Sequence, residues 1–344
     1  MKKSIGYFIL LGILSLCASF FQSAYATNFD KIIVFGDSLS DNGNIYSLSS
    51  SLHKVTSYVP VIPKNPPYYL GRFTNGPIWI EYIAQVLNVP LDDYAYGGAW
   101  AESIFDSKQV IPFGIGTQVN YYLVNEVLDR SRENHLYVIW VGSNDYVQGR
   151  DDPEYAVTNT IDSIKSQVDW LVYYGAKHFL ILNLPDLSAV PEVIAKGPEF
   201  AKSISDLSQL HNKKFVDMMQ SFKEQYKDVS FFTVDIGDYF DHILAYPEKY
   251  HLKNIRQACY GGDFYWRNFI NTREIQAAQE SKIDILGNAS LKAAYVTAKL
   301  AEAGEKPCDN PDEYLFWDKI HPTRIVHQML SELTLSELQK QHNV

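Results

Sequence analysis

Cysteine is scarce in this chain: Cys17, Cys259 and Cys308 are the only three in 344 residues. There is no His-Glu-x-x-His segment and no clustered Cys/His spacing, so no metal centre is expected. Positive charge is also in short supply, with 30 Lys and Arg against 40 Asp and Glu and a formal net charge of −10. That sign disfavours nucleic acid and anionic membrane surfaces as electrostatic partners. No Gly-x-Gly-x-x-Gly or Gly-Lys-Ser/Thr loop follows the first apolar run of the main body, which leaves a phosphate group without a cradle and gives no cause to expect a cofactor. Internal repeats, low-complexity tracts and a second bilayer-length apolar run are missing too. What is present, 46% hydrophobic and 20% charged residues, is the balance of a globular chain with a sizeable core.

The N-terminus reads Met1-Lys2-Lys3, an apolar run from Ile5 to Phe21, then Ala24-Tyr25-Ala26. This basic, apolar and small-residue order is that of a secretory signal, so residues 1–26 are expected to be removed and 27–344 to work in a secreted or periplasmic setting. The run approaches the length of a spanning helix, but the small-x-small site favours cleavage over retention as an anchor. A lipid anchor at Cys17 is disfavoured because Leu16 stands where a small residue belongs. Cleavage takes away Lys2 and Lys3 but no acid, making the remainder still more negative. Contact with a membrane or micelle would then be hydrophobic and transient, and 24 Tyr, 18 Phe and 6 Trp supply the means. With Cys17 gone, Cys259 and Cys308 form a pair in an oxidising compartment and are expected to bond. Such a bridge closes a loop of about 50 residues and contributes about 4 kcal/mol in the chain-entropy picture.

Buried β-rich runs recur at 31–35, weakly at 94–96, and at 136–141, 178–182 and 229–234. Helical patterns at 77–87, 161–174 and 204–226 fall between them. Strands alternating with helices predict βαβ units and a parallel sheet covered on both faces, in one α/β unit. Two segments break the rhythm. Residues 46–73, rich in Ser, Pro and Tyr, are expected as an irregular insertion. Residues 259–308 hold an aromatic cluster, Tyr260, Phe264, Tyr265, Trp266 and Phe269, then a helical stretch at 292–303. The second segment is read either as a lid or lipid-contacting flap, or as an insertion packed on the sheet.

Ligands of a parallel sheet gather beyond the carboxyl ends of its strands. Ser38 lies three residues past the first strand, where a hydroxyl can attack if a base removes its proton. Gly36-Asp37-Ser38 alone is equally a capped turn, but the longer run through Leu39-Ser40-Asp41-Asn42-Gly43-Asn44 is more specific. Asp318-x-x-His321 sets a carboxylate and an imidazole close enough for one to orient the other, although the same spacing occurs at ordinary helix N-termini. Acyl transfer also needs donors for a developing oxyanion. Tyr96-Gly97-Gly98-Ala99 and Gly142-Ser143-Asn144-Asp145, each just past a strand, offer a Gly98 N–H and the Asn144 amide.

In these four blocks, and in Arg72-Phe73-Thr74-Asn75-Gly76-Pro77 and Leu184-Pro185-Asp186-Leu187, the chain resembles the SGNH, or GDSL, hydrolase family. The resemblance implies a flavodoxin-like three-layer α/β/α sandwich with nucleophile Ser38, base His321 and orienting Asp318. It further implies an oxyanion hole formed by the Ser38 and Gly98 N–H groups and the Asn144 side chain. Asp93 departs from the pattern, which often carries Asn there. Within the family the long Ser-Asp-Asn-Gly-Asn block resembles secreted bacterial lysophospholipases A, phospholipases A and glycerophospholipid:cholesterol acyltransferases. The expected substrate is therefore a lipid or lysophospholipid ester, with acyl transfer as a further outcome and an activating protease acting within 259–308 as a partner. A carbohydrate O-acetylesterase and a non-catalytic α/β binding module stay open as alternatives.

Overall fold

The computed structural model describes residues 29–101, 114–147, 152–261 and 270–342. The expected signal, and Phe264, Tyr265, Trp266 and Phe269 of the aromatic cluster, lie outside the described residues. No helix among the described residues is long and apolar enough to cross a membrane.

Five parallel strands form the main sheet: β1 (Lys31–Gly36), β2 (Leu91–Asp93), β3 (His135–Trp140), β4 (His178–Leu182) and β5 (Ser230–Val234). Their spatial order, β2-β1-β3-β4-β5, is that of a flavodoxin-like doubly wound sheet, with the order reversing between β1 and β3. The six residues of β3 are all buried, as an interior strand covered on both faces requires. Each fully buried Val, Ile or Leu there contributes about 1.5–3 kcal/mol relative to exposure.

Helices cover both faces. On one side α2 (Trp79–Leu87) packs with the C-terminal α11 (Arg324–His342). On the other lie α3 (Ile115–Asn125), α5 (Pro153–Tyr173) and α7 (Pro198–Gln225), giving the three layers expected. Short helices α4 (Ser143–Val147), α6 (Pro191–Ile194) and α8 (Ile236–Ala245) leave the carboxyl ends of β3, β4 and β5.

Two expectations need correcting. The weak strand at 94–96 falls at 91–93, although Tyr94 and Tyr96 still donate to the carbonyls of Val34 and Gly36 as the chain peels away. Asp92 and Asp93 on this half-buried edge strand hid the apolar signal. Residues 46–73 are not irregular throughout, because α1 (Asn44–Val55) occupies the first part. Asp41 starts that helix by accepting from the N–H groups of Gly43, Asn44 and Ile45, and this local capping outweighs the weak helix preference of its serines.

Residues 254–261 and 270–317 build a second layer. The strands β6 (Asn254–Ala258) and β7 (Tyr314–Phe316) pair in parallel, and Cys259 and Cys308 are bonded beside them. Helices α9 (Thr272–Glu280) and α10 (Ala289–Glu302) complete it. Ile275, Ile283, Ile285, Leu291, Leu300 and Trp317 form a core separate from that of the sheet, shared with Ile45, Tyr68 and Phe73 of the first insertion.

Candidate active site

The β1 strand ends where its ladder stops. At Gly36 a Cβ would lie 2.6 Å from the Trp140 carbonyl oxygen, so only glycine allows β1 and β3 to run this close. The side chain of Gln118 then takes over the hydrogen bonding, accepting from Gly36 N–H at 2.9 Å and donating to Gly36 C=O at 2.8 Å. The chain turns at Asp37, whose carbonyl accepts from the N–H groups of Ser40 and Asp41. Ser38 therefore sits at the β1/β3 switch point.

Asp318 and His321 lie on a tight turn between β7 and α11, closed by a bond from Trp317 N–H to the His321 carbonyl at 2.8 Å. The turn is buried, with both side chains fully out of solvent, so the pair is not an exposed helix terminus. The Asp318 carboxylate accepts from the N–H groups of Ile320 and His321, at 2.8 and 2.7 Å, and from His321 Nδ1 at 2.7 Å. On the other side of the ring, Nε2 is 2.9 Å from Ser38 Oγ. This network puts the imidazole proton on Nδ1 and leaves Nε2 to accept from the serine. Residues 283 positions apart thus meet within hydrogen-bond reach.

The expected donors converge on the same place. Gly98 has φ +79°, a left-handed conformation suited to glycine, and a Cβ there would lie 2.5 Å from Asn288 Nδ2. Asn144 is the second residue of α4, and its Nδ2 donates to the Ala99 carbonyl at 2.9 Å, which leaves its second amide hydrogen free of that bond. The arrangement has the parts of an acyl-transfer centre: a hydroxyl, an oriented base and amide donors beside it.

Several contributors carried no signal as isolated residues. Tyr68, inside the first insertion, donates to Asp318 Oδ2 at 2.6 Å. Burial first, and then the Asp318 charge, raise the Tyr68 hydroxyl well above its ordinary range and keep it a donor. The Phe73 ring lies 4.9 Å from the His321 ring, Thr74 donates to the Pro322 carbonyl at 2.8 Å, and Asn75 accepts from Arg324 N–H at 2.8 Å. The Arg72 to Pro77 block thereby clamps the Asp318–His321 turn against the sheet. Ser290 Oγ stands 3.3 Å from Ser38 Oγ and 3.1 Å from Asn144 Oδ1. Tyr68 and Ser290 lie in the two segments that broke the βα rhythm, so neither fell in a recognisable block.

Buried acids surround the turn that carries Ser38. Burial pushes the Asp37 carboxyl up to about 7 against the opposing bond from Leu39 N–H. Burial also pushes Asp41 up to about 6 although it accepts four backbone bonds, including one from Gly97 N–H at 2.7 Å. At the departure from the pattern, Asp93 accepts from the N–H groups of Asn42 and Ala95. Burial and the nearby Asp41 charge raise it well above the carboxylate range, which favours a neutral acid where an amide often stands.

A pocket opens from Ser38 and Asn144 and is walled mainly by Trp140, Val147, Leu187, Val190, Phe240 and Phe316. The Leu184 to Leu187 block contributes to its rim through Pro185, Asp186 and Leu187.

Among known proteins, the profile of the GDSL-like Lipase/Acylhydrolase family matches residues 32–334. A phosphatidylcholine-sterol acyltransferase of Aeromonas hydrophila is 30% identical over 99% of this chain and 98% of its own length. A thermolabile hemolysin of Vibrio parahaemolyticus is 27% identical over 89% of this chain and 63% of its own. Among solved structures, an acetylxylan esterase from Geobacillus stearothermophilus aligns with a TM-score of 0.40 at 12% identity, covering 90% of this chain and 94% of that one. The order of strands, the four blocks and the profile match agree, and the chain belongs to the GDSL-like lipase and acylhydrolase family.

Proposed function

We propose that the protein is a secreted lysophospholipase A or phospholipase A that also transfers acyl groups. Ser38 attacks the ester carbonyl, His321 takes its proton and later activates water or an acceptor alcohol, and Asp318 holds the imidazole. The Ser38 and Gly98 N–H groups and the Asn144 amide receive the oxyanion. The observation that carries this reading is the Asp318–His321–Ser38 chain of hydrogen bonds, ending at the mouth of an apolar pocket. Those walls suit a fatty acyl chain better than an acetyl group, which needs little apolar area. The names of the Aeromonas and Vibrio relatives, an acyltransferase acting on phosphatidylcholine and a hemolysin, point the same way.

Segment 259–308 is proposed to cover the site, with a protease cut inside it as the release. Ser38 is only 3% exposed and His321 not at all, so a bulky lipid needs some opening. The Cys259–Cys308 bond would keep both halves of a cut segment attached.

The test is the purified 27–344 chain, intact and nicked within the segment, assayed on lysophospholipids, diacyl phospholipids and acetylated sugars beside Ser38→Ala. Release of fatty acid, lost in Ser38→Ala by a factor on the order of 10⁴ or more, is expected. Release of acetate alone would install the carbohydrate esterase in its place. A folded Ser38→Ala protein with full activity would end the mechanism, and equal activity of intact and nicked chains on micellar lipid would end the covering role.

A further inference from the structure

Among the described residues, the disulfide-bounded segment meets Gly98, Asn144 and Ser38 through the first turn of α10, with polar side chains. Asn288 is the N-cap of this 14-residue helix, and its Oδ1 accepts from Leu291 N–H at 3.1 Å. Its Nδ2 does something a cap does not require: it donates to the Gly98 carbonyl at 2.9 Å. Two residues on, Ser290 Oγ donates to Asn144 Oδ1 at 3.1 Å. Both are buried, at 5% and 2% exposure, so water does not readily replace either bond. Lys292 of the same turn pairs with Glu192 of α6 at 2.8 Å and docks the helix from the other side.

These two bonds reach the two oxyanion donors other than Ser38 itself. At Gly98 the left-handed backbone has no side chain to hold it, and Asn288 anchors its carbonyl. At Asn144 the amide must present nitrogen, not oxygen, to the reacting carbonyl. The Ala99 carbonyl fixes the nitrogen from one side and the Ser290 hydroxyl fixes the oxygen from the other. The carbonyls of the neighbouring residues 98 and 99 are thus held by two asparagine amides, one from the inserted segment and one from the sheet.

We infer that Asn288 positions Gly98 and that Ser290, which also lies 3.3 Å from Ser38 Oγ, positions Asn144: the first turn of α10 sets the oxyanion hole, so the inserted segment builds the site as well as covering it. The inference rests on the esterase reading above. Its consequence is that activation must leave this turn docked, with opening confined to the rest of the segment. A displaced donor loses most of its effect because an oxyanion hole works only when aimed before the reaction.

The test uses the full mature chain with p-nitrophenyl butyrate, in Asn288→Asp and Ser290→Ala. Aspartate caps a helix as well as asparagine does, so the first variant keeps the Leu291 bond, loses the donor to Gly98 and sets a carboxylate oxygen against the Gly98 carbonyl. The expected result for each is a kcat lower by about 10- to 100-fold, KM within about twofold, and a cooperative unfolding transition retained with a melting temperature lower by only a few degrees. Labelling of Ser38 by a fluorophosphonate should slow in parallel, because that reaction also develops charge on oxygen. Wild-type kcat in both variants would overturn the inference. A raised kcat in Ser290→Ala would overturn it as well, because the hydroxyl would then be an obstruction. Ser38→Ala run alongside separates the two failures: if it is inactive the esterase reading stands whatever Asn288 and Ser290 do, and if it is active that reading falls first.

Discussion

The site is assembled from two regions held together by different means. Ser38 and Asn144 project from the ends of β1 and β3, strands joined by a continuous parallel ladder from Lys31 to Gly36 inside the larger core. Asn288 and Ser290 belong to a layer with its own two-stranded sheet, one disulfide and a smaller core, and Asp318 and His321 lie on the turn that follows its last strand. The nucleophile side is placed by regular secondary structure. The base side is placed by single contacts, such as Tyr68 to Asp318 and Thr74 to Pro322, which individually supply little energy. The second region is therefore expected to be the more easily disturbed, and the comparison can be broken at graded points.

The largest effect should come from the ladder side. Asn144→Ala removes one oxyanion donor and should lower kcat by about 100- to 1,000-fold with little change in folding, read from ester kinetics beside a melting curve. A loss below tenfold would mean that the sheet region contributes less than its geometry suggests.

Next is the bond that closes the second region. Replacing both Cys259 and Cys308 by Ser should cost about 2 to 4 kcal/mol in denaturant unfolding. Hydrogen exchange should locate the loosening in 254–317 while amides of β1, β3 and β4 stay protected. Uniform loosening across both regions would show that they are one cooperative unit.

A smaller loss is expected from Tyr68→Phe. It removes one charge-assisted bond to Asp318 and leaves the other acceptor contacts of that carboxylate in place. A fall in kcat of about tenfold, corresponding to the lower end of about 1.5 to 3 kcal/mol for such a bond, is the expected outcome.

A pH-dependent effect on stability, of the same order as that of the disulfide, is expected at Asp37. Asp37 has an ordinary value of 3.8 and a folded value of about 7, so the folded state holds its proton more tightly than the unfolded chain. Its contribution is complete below about pH 4 and is lost as pH rises through about 7. Asp37→Asn cannot ionise, so its melting temperature relative to the wild type should climb between pH 4 and 8. A constant difference across that range would remove Asp37 from the argument.

The legible parts of the chain were those where a long periodic run or a strand-end block announced itself. The runs at 31–35, 136–141 and 178–182 matched β1, β3 and β4 to within a residue, because buried parallel strands are continuous apolar stretches. The helix expected at 204–226 begins earlier, at Pro198, because its first turn is exposed and lacks an apolar stripe. Helix α3 and the pairing of β6 with β7 gave no usable pattern, β6 alternating weakly with its partner some 60 positions away, whereas α8 does carry a helix signal in the Asp235 cap and the buried Ile236 and Ile243.

Sequence alone singled out Ser38, Gly98, Asn144, Asp318 and His321 as candidates, because each lies in a block that carries the family resemblance, and the structure joins Asp318, His321 and Ser38 by hydrogen bonds. Only the tertiary structure decided what holds them. Tyr68, Asn288 and Ser290 act across 250, 190 and 146 positions, through hydrogen bonds that depend on how two layers with separate cores pack against each other. No local pattern encodes such a distance, since a buried polar side chain looks the same in sequence whichever partner it finds.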